Sequence, residues 1–459
     1  MDKERETKVQ NDADTSAYPL IIPESKHPLR ESQIDREALK VLYRLRDAGF
    51  KGYLVGGGVR DLYLGKKPKD FDISTDARPG QLRKLFRNSR TIGRRFRLVQ
   101  VFYRGNKTIE VSTLRSQSEY DINEPDQVLP SNNTFGTLEE DAFRRDLTIN
   151  ALFYEVENHS IIDYTGGVDD LDKGIIRMVG DPGRRFTRDP VRMMRAVRHA
   201  SRTGFSIDAK TLAAIETHAE KLVLCPSSRL HDEIGKDLRS GACSKWAELC
   251  LQTSLWHILF PMYAQYAADD NWRQEIVNIL QVVDRLYSAS SGNRQVEVPE
   301  PMLFAALLLP WALRHFSLLT VELKGRMYQQ LVHQIRDQLD AHITRQLHVK
   351  RAVKDGITSL LVNLPAFHRL SREKKIPKWL RRKSYYRDCS LFYELYKEYK
   401  GTGTLPVESF YSTRKSYEPM TFQAKANKHP ESSSRARGRF KPAFSSKKQG
   451  VFGLRQNQG

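Results

Sequence analysis

Tyr53-Leu54-Val55-Gly56-Gly57-Gly58-Val59-Arg60-Asp61, followed by Lys69-Asp70-Phe71-Asp72-Ile73, is the stretch on which the fold turns. Tyr53 to Val55 reads as a short buried strand, the three glycines as a tight turn, Val59 to Leu64 as a helix stopped by Gly65, and Phe71 to Ser74 as another strand. In a strand, residues two apart share a face, so Asp70 and Asp72 project together while Phe71 and Ile73 face a core. Two carboxylates on one face can share divalent cations. Gly56 and Gly57 let the backbone approach a ligand closely, the helix behind them offers unbonded N–H groups to an anion, and Arg60 adds a fixed positive charge. A pair of surface acids on an edge strand and a glycine turn chosen for steric reasons would give the same residues.

Upstream, Ile34, Ala38, Val41, Leu42, Leu45 and Ala48 follow helical spacing, with Ser32 as N-cap and Gly49 as stop. Residues 1–31 are polar and aperiodic and are expected to be flexible. Downstream, a helix starts near Pro79, and Leu98–Tyr103 and Lys107–Thr113 alternate as strands of a hairpin turned by Arg104-Gly105-Asn106. On the second of these strands Glu110 points away from Ile109 and Val111. It is either a third carboxylate for the Asp70 and Asp72 site or a solvated charge, and adjacency in the sheet decides between them. Beyond Asp189 the periodicity is almost wholly helical, and from about residue 411 the chain is rich in Ser, Gly, Pro and basic residues.

The expected fold is therefore α+β, with an N-terminal head built on a small mixed β-sheet, an all-α neck and body, and a disordered basic tail. The boundaries are 1–31 for the flexible lead-in, 32–176 for the head, 177–240 for the neck, 241–405 for the body and 406–459 for the tail.

Lysine and arginine outnumber aspartate and glutamate by 75 to 55, a formal charge of +20 over 459 residues. Such a balance favours polyanionic partners, nucleic acid first. An anionic membrane surface would suit the charge too, but the longest apolar run, Leu303 to Leu313, is too short to span a bilayer and reads as a buried helix. No apolar h-region follows Met1, so a cytoplasmic protein is expected. Cys225, Cys243, Cys250 and Cys389 form no Cys-x-x-Cys pair and fit reduced, buried thiols.

Two further clusters carry candidate ligand groups. In Glu139-Glu140-Asp141-Ala142-Phe143-Arg144-Arg145-Asp146-Leu147-Thr148-Ile149-Asn150-Ala151 the arginines can clamp phosphate oxygens with Asp146 in support, or they can be part of a charged helix entry laced with ion pairs. In Asp189-Pro190-Val191-Arg192-Met193-Met194-Arg195-Ala196-Val197-Arg198 the Asp-Pro pair fits N-cap and N1, and arginines recur every third residue as a basic helical stripe. His231-Asp232 lacks metal-binding companions and reads as ordinary helix surface. Lys374 to Arg387, with Trp379, Tyr385 and Tyr386 interleaved, is either an RNA contact or a surface helix with core aromatics.

Taken in order, the glycine turn, Asp70-Phe71-Asp72, Ile109-Glu110-Val111, Arg144 to Ala151 and Asp189 to Arg192 resemble the class II nucleotidyltransferases. That superfamily contains the bacterial poly(A) polymerases and the CCA-adding tRNA nucleotidyltransferases. Within it, the stretch Arg87 to Val99, the long segment from Ser116 to Thr134 and the basic tail are similar to the poly(A) polymerase branch. The resemblance implies that Asp70, Asp72 and Glu110 hold Mg²⁺ in a two-metal site and that Asp146 is a further active-site acid. It also implies that Gly56, Gly57, Arg60 and Arg145 engage a nucleoside triphosphate, and that Asp189, Arg192, Arg195 and Arg198 form the nucleotide-reading surface of the neck. The implied partners are ATP and single-stranded RNA 3′ ends, and the implied reaction is template-independent transfer of AMP to RNA with release of pyrophosphate, in mRNA polyadenylation and decay. A CCA-adding enzyme and a non-catalytic RNA-binding protein on the same scaffold are the alternatives. Two positions depart from the family pattern: Arg188, where glutamate is common, bears on how Asp189 is oriented, and His199, where phenylalanine is frequent, reads as a packing change.

Overall fold

The head is a single eight-stranded sheet in the order β1-β8-β7-β2-β3-β6-β5-β4. Its strands are β1 Leu20–Ile22, β2 Gly52–Val55, β3 Asp72–Thr75, β4 Ser89–Ile92, β5 Leu98–Tyr103, β6 Lys107–Thr113, β7 Leu152–Glu155 and β8 Ser160–Asp163. The computed structural model describes residues 19–93, 97–116, 134–266, 271–289, 295–320, 325–372 and 377–411. All belong to one unit of the chain, Met1–Thr413, while the second unit, Arg414–Gly459, lies outside the described residues and with it nearly all of the expected basic tail. Arg94, Arg95 and Phe96, most of the segment between Ser116 and Thr134, and Lys374 to Ile376 also lie outside them.

Two-residue alternation sorts the strands into two faces. Leu54, Ile73, Val99, Val101, Ile109 and Val111 are buried in the main core, which α1 (Arg36–Asp47), α2 (Gly57–Tyr63) and α3 (Pro79–Leu85) cover. Asp72, Ser74, Gln100, Glu110 and Ser112, on the alternate positions of these strands, line the other face. A smaller cluster of Tyr53, Val55, Leu114, Ala142 and Phe153 flanks them there, beneath the helix Leu138–Arg144. The hairpin of β5 and β6 forms as its alternation requires, with Gly105 supplying a left-handed φ of 75° at the turn.

Several boundaries differ from the sequence expectation. Order begins well before Ser32: Leu20–Ile22 pairs antiparallel with β8, and Leu29 is fully buried. These segments are too short to show a period, and a sheet edge formed by residues about 140 positions later gives them their partners. The cap of α1 is Asp35, whose carboxylate accepts from the N–H groups of Glu37 and Ala38, not Ser32. α2 starts at Gly57, so two of the three glycines are helical, and β3 starts at Asp72, so Asp70 precedes the strand. Nor does the body stop at 405: Val407–Phe410 forms a 3-10 turn, Phe410 is buried and Tyr411 pairs with Val296.

From Pro182–Arg188 onward the described chain is helical apart from the short strand Ser206–Ile207, which pairs parallel with Ile175–Ile176. Trp246, Trp256, Trp272 and Trp311 are fully buried there, and Glu300–His315 is the expected core helix, with Pro310 in its interior. Tyr385 and Tyr386 pack against the core and the Tyr386 ring meets Phe367 at 5.7 Å, so these aromatics are core residues. All four cysteines are buried thiols. No described helix is long and apolar enough to cross a membrane.

Candidate active site

Three strands meet at the carboxylates. β3 and β6 run parallel, in a register that sets Asp72 directly opposite Glu110 and Ser74 opposite Ser112. β2 and β3 run antiparallel with Val55 opposite Asp72, so the glycine turn after Val55 and the approach of Asp70 share one edge of the sheet. Gly56, at φ 65°, makes the reversal, and a side chain there would be strained. Glu110 thus lies directly beside Asp72 in the sheet, on the same face.

Asp70 and Asp72 reach solvent and Glu110 is half-buried. A Glu110 oxygen accepts from the Gln100 amide at 3.0 Å, which leaves its carboxylate aimed along the same face. Although the tip of Asp72 is wet, the surrounding protein and then the charges of Glu110 and Asp70 push its pKa up to about 6, with Arg145 acting the other way. Uncompensated repulsion of this kind is what a bound cation relieves. Among the described residues no three His, Cys, Asp or Glu side chains already converge on a metal-binding point. The donor set nonetheless fits a hard cation, because every oxygen comes from a carboxylate and substrate phosphates commonly complete such a shell.

Arg145 is fixed above this edge. It donates to Asp141 at 2.9 Å, to the Asn150 carbonyl at 3.3 Å and to the Ser74 hydroxyl at 3.2 Å, and its guanidinium lies 4.9 Å from the Phe153 ring. A Cβ built on Gly56 would lie 3.4 Å from its Nη1. Asp141, four residues upstream on the helix Leu138–Arg144, is the anchor that sequence reasoning passed over. Its i,i+4 spacing from Arg145 was the available signal.

The remaining arginines divide in ways the sequence stripe did not suggest. Arg60 is 5% exposed; it donates to Asp61 at 2.7 Å and to Asn150 at 2.6 Å, and approaches His199 Nδ1 at 3.3 Å. It therefore ties α2 to the helix Val191–Thr203 instead of standing free for a ligand. His199 is correspondingly more than packing. Burial and then Arg60 hold its pKa well below the ordinary value, so the ring is neutral; its Nδ1 accepts from Arg60, and its Nε2 lies 3.4 Å from the Asn150 amide.

Arg192 donates to the carbonyls of Arg144 and Arg145 at 3.3 Å. Asp189 is not the N-cap of Val191–Thr203, a correction of one residue, since Pro190 holds that place; Asp189 instead closes Pro182–Arg188, its N–H donating to the Arg185 carbonyl at 3.0 Å, and its carboxylate is held by Arg229 at 2.9 Å and Arg192 at 3.7 Å. Arg195 donates to Asp146 at 2.6 Å. Burial opposes the charge on Asp146, but Arg195 and Arg192 hold its carboxyl far below the usual range. Asp146 is thus committed to the neck and is brought into no contact with Asp72 or Glu110. Arg198 turns away altogether, into Glu233 and Asp237 of the helix Ser227–Leu238, with its side chain 6% exposed. It is not part of a nucleotide-facing surface. His231 pairs with Glu300 at 2.6 Å and stacks on Phe304, as an ordinary helix residue would.

Known proteins resemble this chain in sequence and fold. Residues 52–177 match the family described as Poly A polymerase head domain, and residues 204–266 the one described as Probable RNA and SrmB- binding site of polymerase A. Over 313 residues the chain is 41% identical to Poly(A) polymerase I of Salmonella typhi, a stretch covering 66% of each chain. It is 38% identical over 223 residues to a CCA-adding enzyme of Bacillus pumilus, covering 48% of this chain and 54% of that one. The chain thus spans just under two thirds of the first of these relatives and about half of the second. Among solved structures, the Bacillus stearothermophilus CCA-adding enzyme in complex with CTP superposes with a TM-score of 0.53 at 25% identity, covering 82% of this chain and 80% of that one. The chain belongs to the family of nucleotidyltransferases that contains poly(A) polymerase I and the CCA-adding enzymes.

Proposed function

We propose that this protein is a template-independent polynucleotide adenylyltransferase, which transfers AMP from ATP to the 3′ end of single-stranded RNA and releases pyrophosphate. The observation that carries this reading is the parallel register that sets Glu110 beside Asp72, one residue from the glycine turn that follows β2. Relatives named Poly(A) polymerase I, 39–43% identical over 254 to 313 residues, direct the choice toward adenylation.

Asp70, Asp72 and Glu110 would hold the divalent cations on which enzymes of this family generally depend. A cation bound there supplies electrostatic stabilisation to the reacting phosphate and acidifies the attacking hydroxyl. The backbone at Gly56 and Gly57 receives the triphosphate closely, and Arg145 stabilises its developing charge from a fixed position. Arg60 and Asp146 act indirectly, by holding α2 and the neck helix in place through Asn150, His199 and Arg195. Asp189 and Arg192, braced by Arg229, are the neck groups left to read the base, so side chains and not a template select the nucleotide. A cytoplasmic role in tailing mRNA ahead of its decay is the setting proposed for this activity.

The second reading, a CCA-adding enzyme, draws on the likeness to the CTP-bound structure. The two are separated by offering the purified protein an unstructured RNA and a tRNA lacking its terminal CCA, with each nucleotide in turn. A long ladder with ATP alone on the unstructured RNA is expected. Addition confined to C, C and A on the tRNA would replace the proposal with the second reading. Asp70→Ala and Asp72→Ala should each abolish incorporation and leave RNA binding intact; near-normal activity in either variant would overturn the assignment of the carboxylates.

A further inference from the structure

Asp72 and Glu110 belong to a row of side chains that crosses the sheet. The pairing of β4 with β5 sets Arg90 opposite Gln100, that of β5 with β6 sets Gln100 opposite Glu110, and that of β6 with β3 sets Glu110 opposite Asp72. Residues directly opposite one another project from one face with Cβ atoms about 5 Å apart, so these side chains stand next to each other in the order Arg90, Gln100, Glu110, Asp72. Val99, Val101, Ile109 and Val111, the sequence neighbours of Gln100 and Glu110, are buried in the core behind the other face. Gln100 and Glu110 are half-buried, and Arg90 and Asp72 are exposed.

Gln100 therefore has a neighbour of each sign, and it binds the acid. Its amide N–H donates to a Glu110 oxygen at 3.0 Å. The chemistry fixes which way the amide is turned, because a carboxylate only accepts and the amide oxygen would be repelled. The second Glu110 oxygen makes no hydrogen bond among the described residues.

That this donor is neutral sets Glu110 apart from the acids around it. Asp61 is held by Arg60 at 2.7 Å, Asp141 by Arg145 at 2.9 Å, Asp146 by Arg195 at 2.6 Å and Asp189 by Arg229 at 2.9 Å. Each of those guanidinium groups cancels the charge of its acid and leaves little to attract a cation. Asp72 and Glu110 have no ion pair among the described residues, and Gln100 restrains Glu110 while leaving its charge in place. Gln100 also stands between Glu110 and Arg90, which keeps the strand of that cation two places away, about 10 Å at the spacing of paired strands. A free glutamate has several rotatable bonds to immobilise when it binds an ion, and a donor that holds it beforehand lowers that cost.

We infer that Gln100 is a positioning residue for the cation site: its neutral amide fixes Glu110 beside Asp72 with the carboxylate charge intact, and cation affinity depends on it although it binds no cation itself. The inference rests on the reading of Asp70, Asp72 and Glu110 as the cation-binding set, and its test needs no turnover. Mn²⁺ is the probe, a divalent ion that takes the same oxygen ligands as Mg²⁺. It is titrated into the full chain without RNA or nucleotide, and the free ion is counted by electron paramagnetic resonance. Gln100→Leu keeps the volume and removes the donor, Gln100→Lys keeps a donor and adds a charge, and Asp72→Ala is the reference for a lost ligand. Thermal melting shows that each variant folds.

Gln100→Leu should weaken Mn²⁺ binding about tenfold, the lower end of the range for a lost partner of a metal ligand, and Gln100→Lys at least as much. In turnover, the Mg²⁺ concentration that gives half the maximal rate should rise by the same factor in Gln100→Leu, with kcat at saturating Mg²⁺ within about twofold of wild type. If Gln100→Leu binds Mn²⁺ as wild type does while Asp72→Ala does not, the inference is overturned and the carboxylates stand as the cation site. Gln100 is then an ordinary cross-strand partner of Glu110, whose loss shows in melting alone. Wild-type affinity in Gln100→Lys would overturn it too, since a charged donor would then serve as well as a neutral one. If wild type and Asp72→Ala bind Mn²⁺ equally, the reading of the carboxylates fails and the inference falls with it.

Discussion

Replacing Arg198 by alanine should cost stability and leave nucleotide affinity almost untouched, and the cost should depend on pH. Arg198 donates to Glu233, and to Asp237 Oδ1 at 3.3 Å, with the side chains of the two acids 9% and 0% exposed. Burial, and Glu233 in its turn, push the Asp237 pKa up to about 8 against the pull of Arg198, so at pH 7 Asp237 is neutral and Glu233 carries the charge that faces Arg198. Without the guanidinium, Glu233 escapes its buried charge by taking a proton. From an ordinary value near 4.3 to pH 7, at about 1.36 kcal/mol per unit, that costs about 3.7 kcal/mol. Lys236, 2.8 Å from the other Glu233 oxygen and 58% exposed, offsets part of this. The expected loss is therefore about 2–3 kcal/mol at pH 7. At pH 5.5 the same arithmetic gives about 1.6 kcal/mol before the offset, so most of the defect should vanish. Urea unfolding of Arg198→Ala and wild type at the two pH values measures both numbers, and the KM for ATP is the companion assay. Stability within about 0.5 kcal/mol of wild type at both pH values, together with a tenfold rise in KM, would refute the argument and return Arg198 to the nucleotide.

Asp237→Asn keeps its hydrogen bond with Arg198 but cannot ionise. Because the folded pKa of Asp237 lies above its unfolded value near 4, the stability it contributes is complete below pH 4 and is lost as pH rises toward 8. The variant should flatten the wild-type decline between pH 5 and 8, on the order of 2 kcal/mol by urea midpoints; parallel curves would refute the protonation state. Gly167→Ala would set a Cβ 2.2 Å from the Thr148 carbonyl oxygen. The backbone that carries Asn150 must then move, at about 1–3 kcal/mol by the same measurement, and a neutral result would show that the 3-10 turn Thr148–Asn150 yields freely. His199→Phe removes two polar contacts from a neutral ring and should change the KM for ATP less than about threefold while lowering stability by roughly 1 kcal/mol. A loss of activity comparable to that of Asp72→Ala would place His199 at the chemistry.

Much of this molecule is legible in short windows of its sequence. Period-two and period-3.6 patterns locate β2, the hairpin and the helical body because burial of one face is a local matter of spacing. The motif order carries the family. Glu110 is different: whether it joins Asp72 depends on β6 pairing in parallel with β3, a choice among strands 38 residues apart that no window contains. The arginines of the neck show the same limit from another side. A step of three residues leaves each side chain rotated by about 60° from the last around the helix axis. Arg192, Arg195 and Arg198 thus meet three different surroundings, the carbonyls of Arg144 and Arg145, the carboxylate of Asp146 and the acids of a second helix.

By itself, then, the sequence determined which residues could do chemistry and which segments could hold them, since side-chain type and spacing are properties of a chain. Only the tertiary structure decided which of these residues do share a site, because whether a charge is free for a ligand depends on what packs against it. Asp72 stands open beside like charges, while Arg60, Asp146 and Arg198 are spent on partners that hold the head to the neck and the helix Val191–Thr203 to the helix Ser227–Leu238.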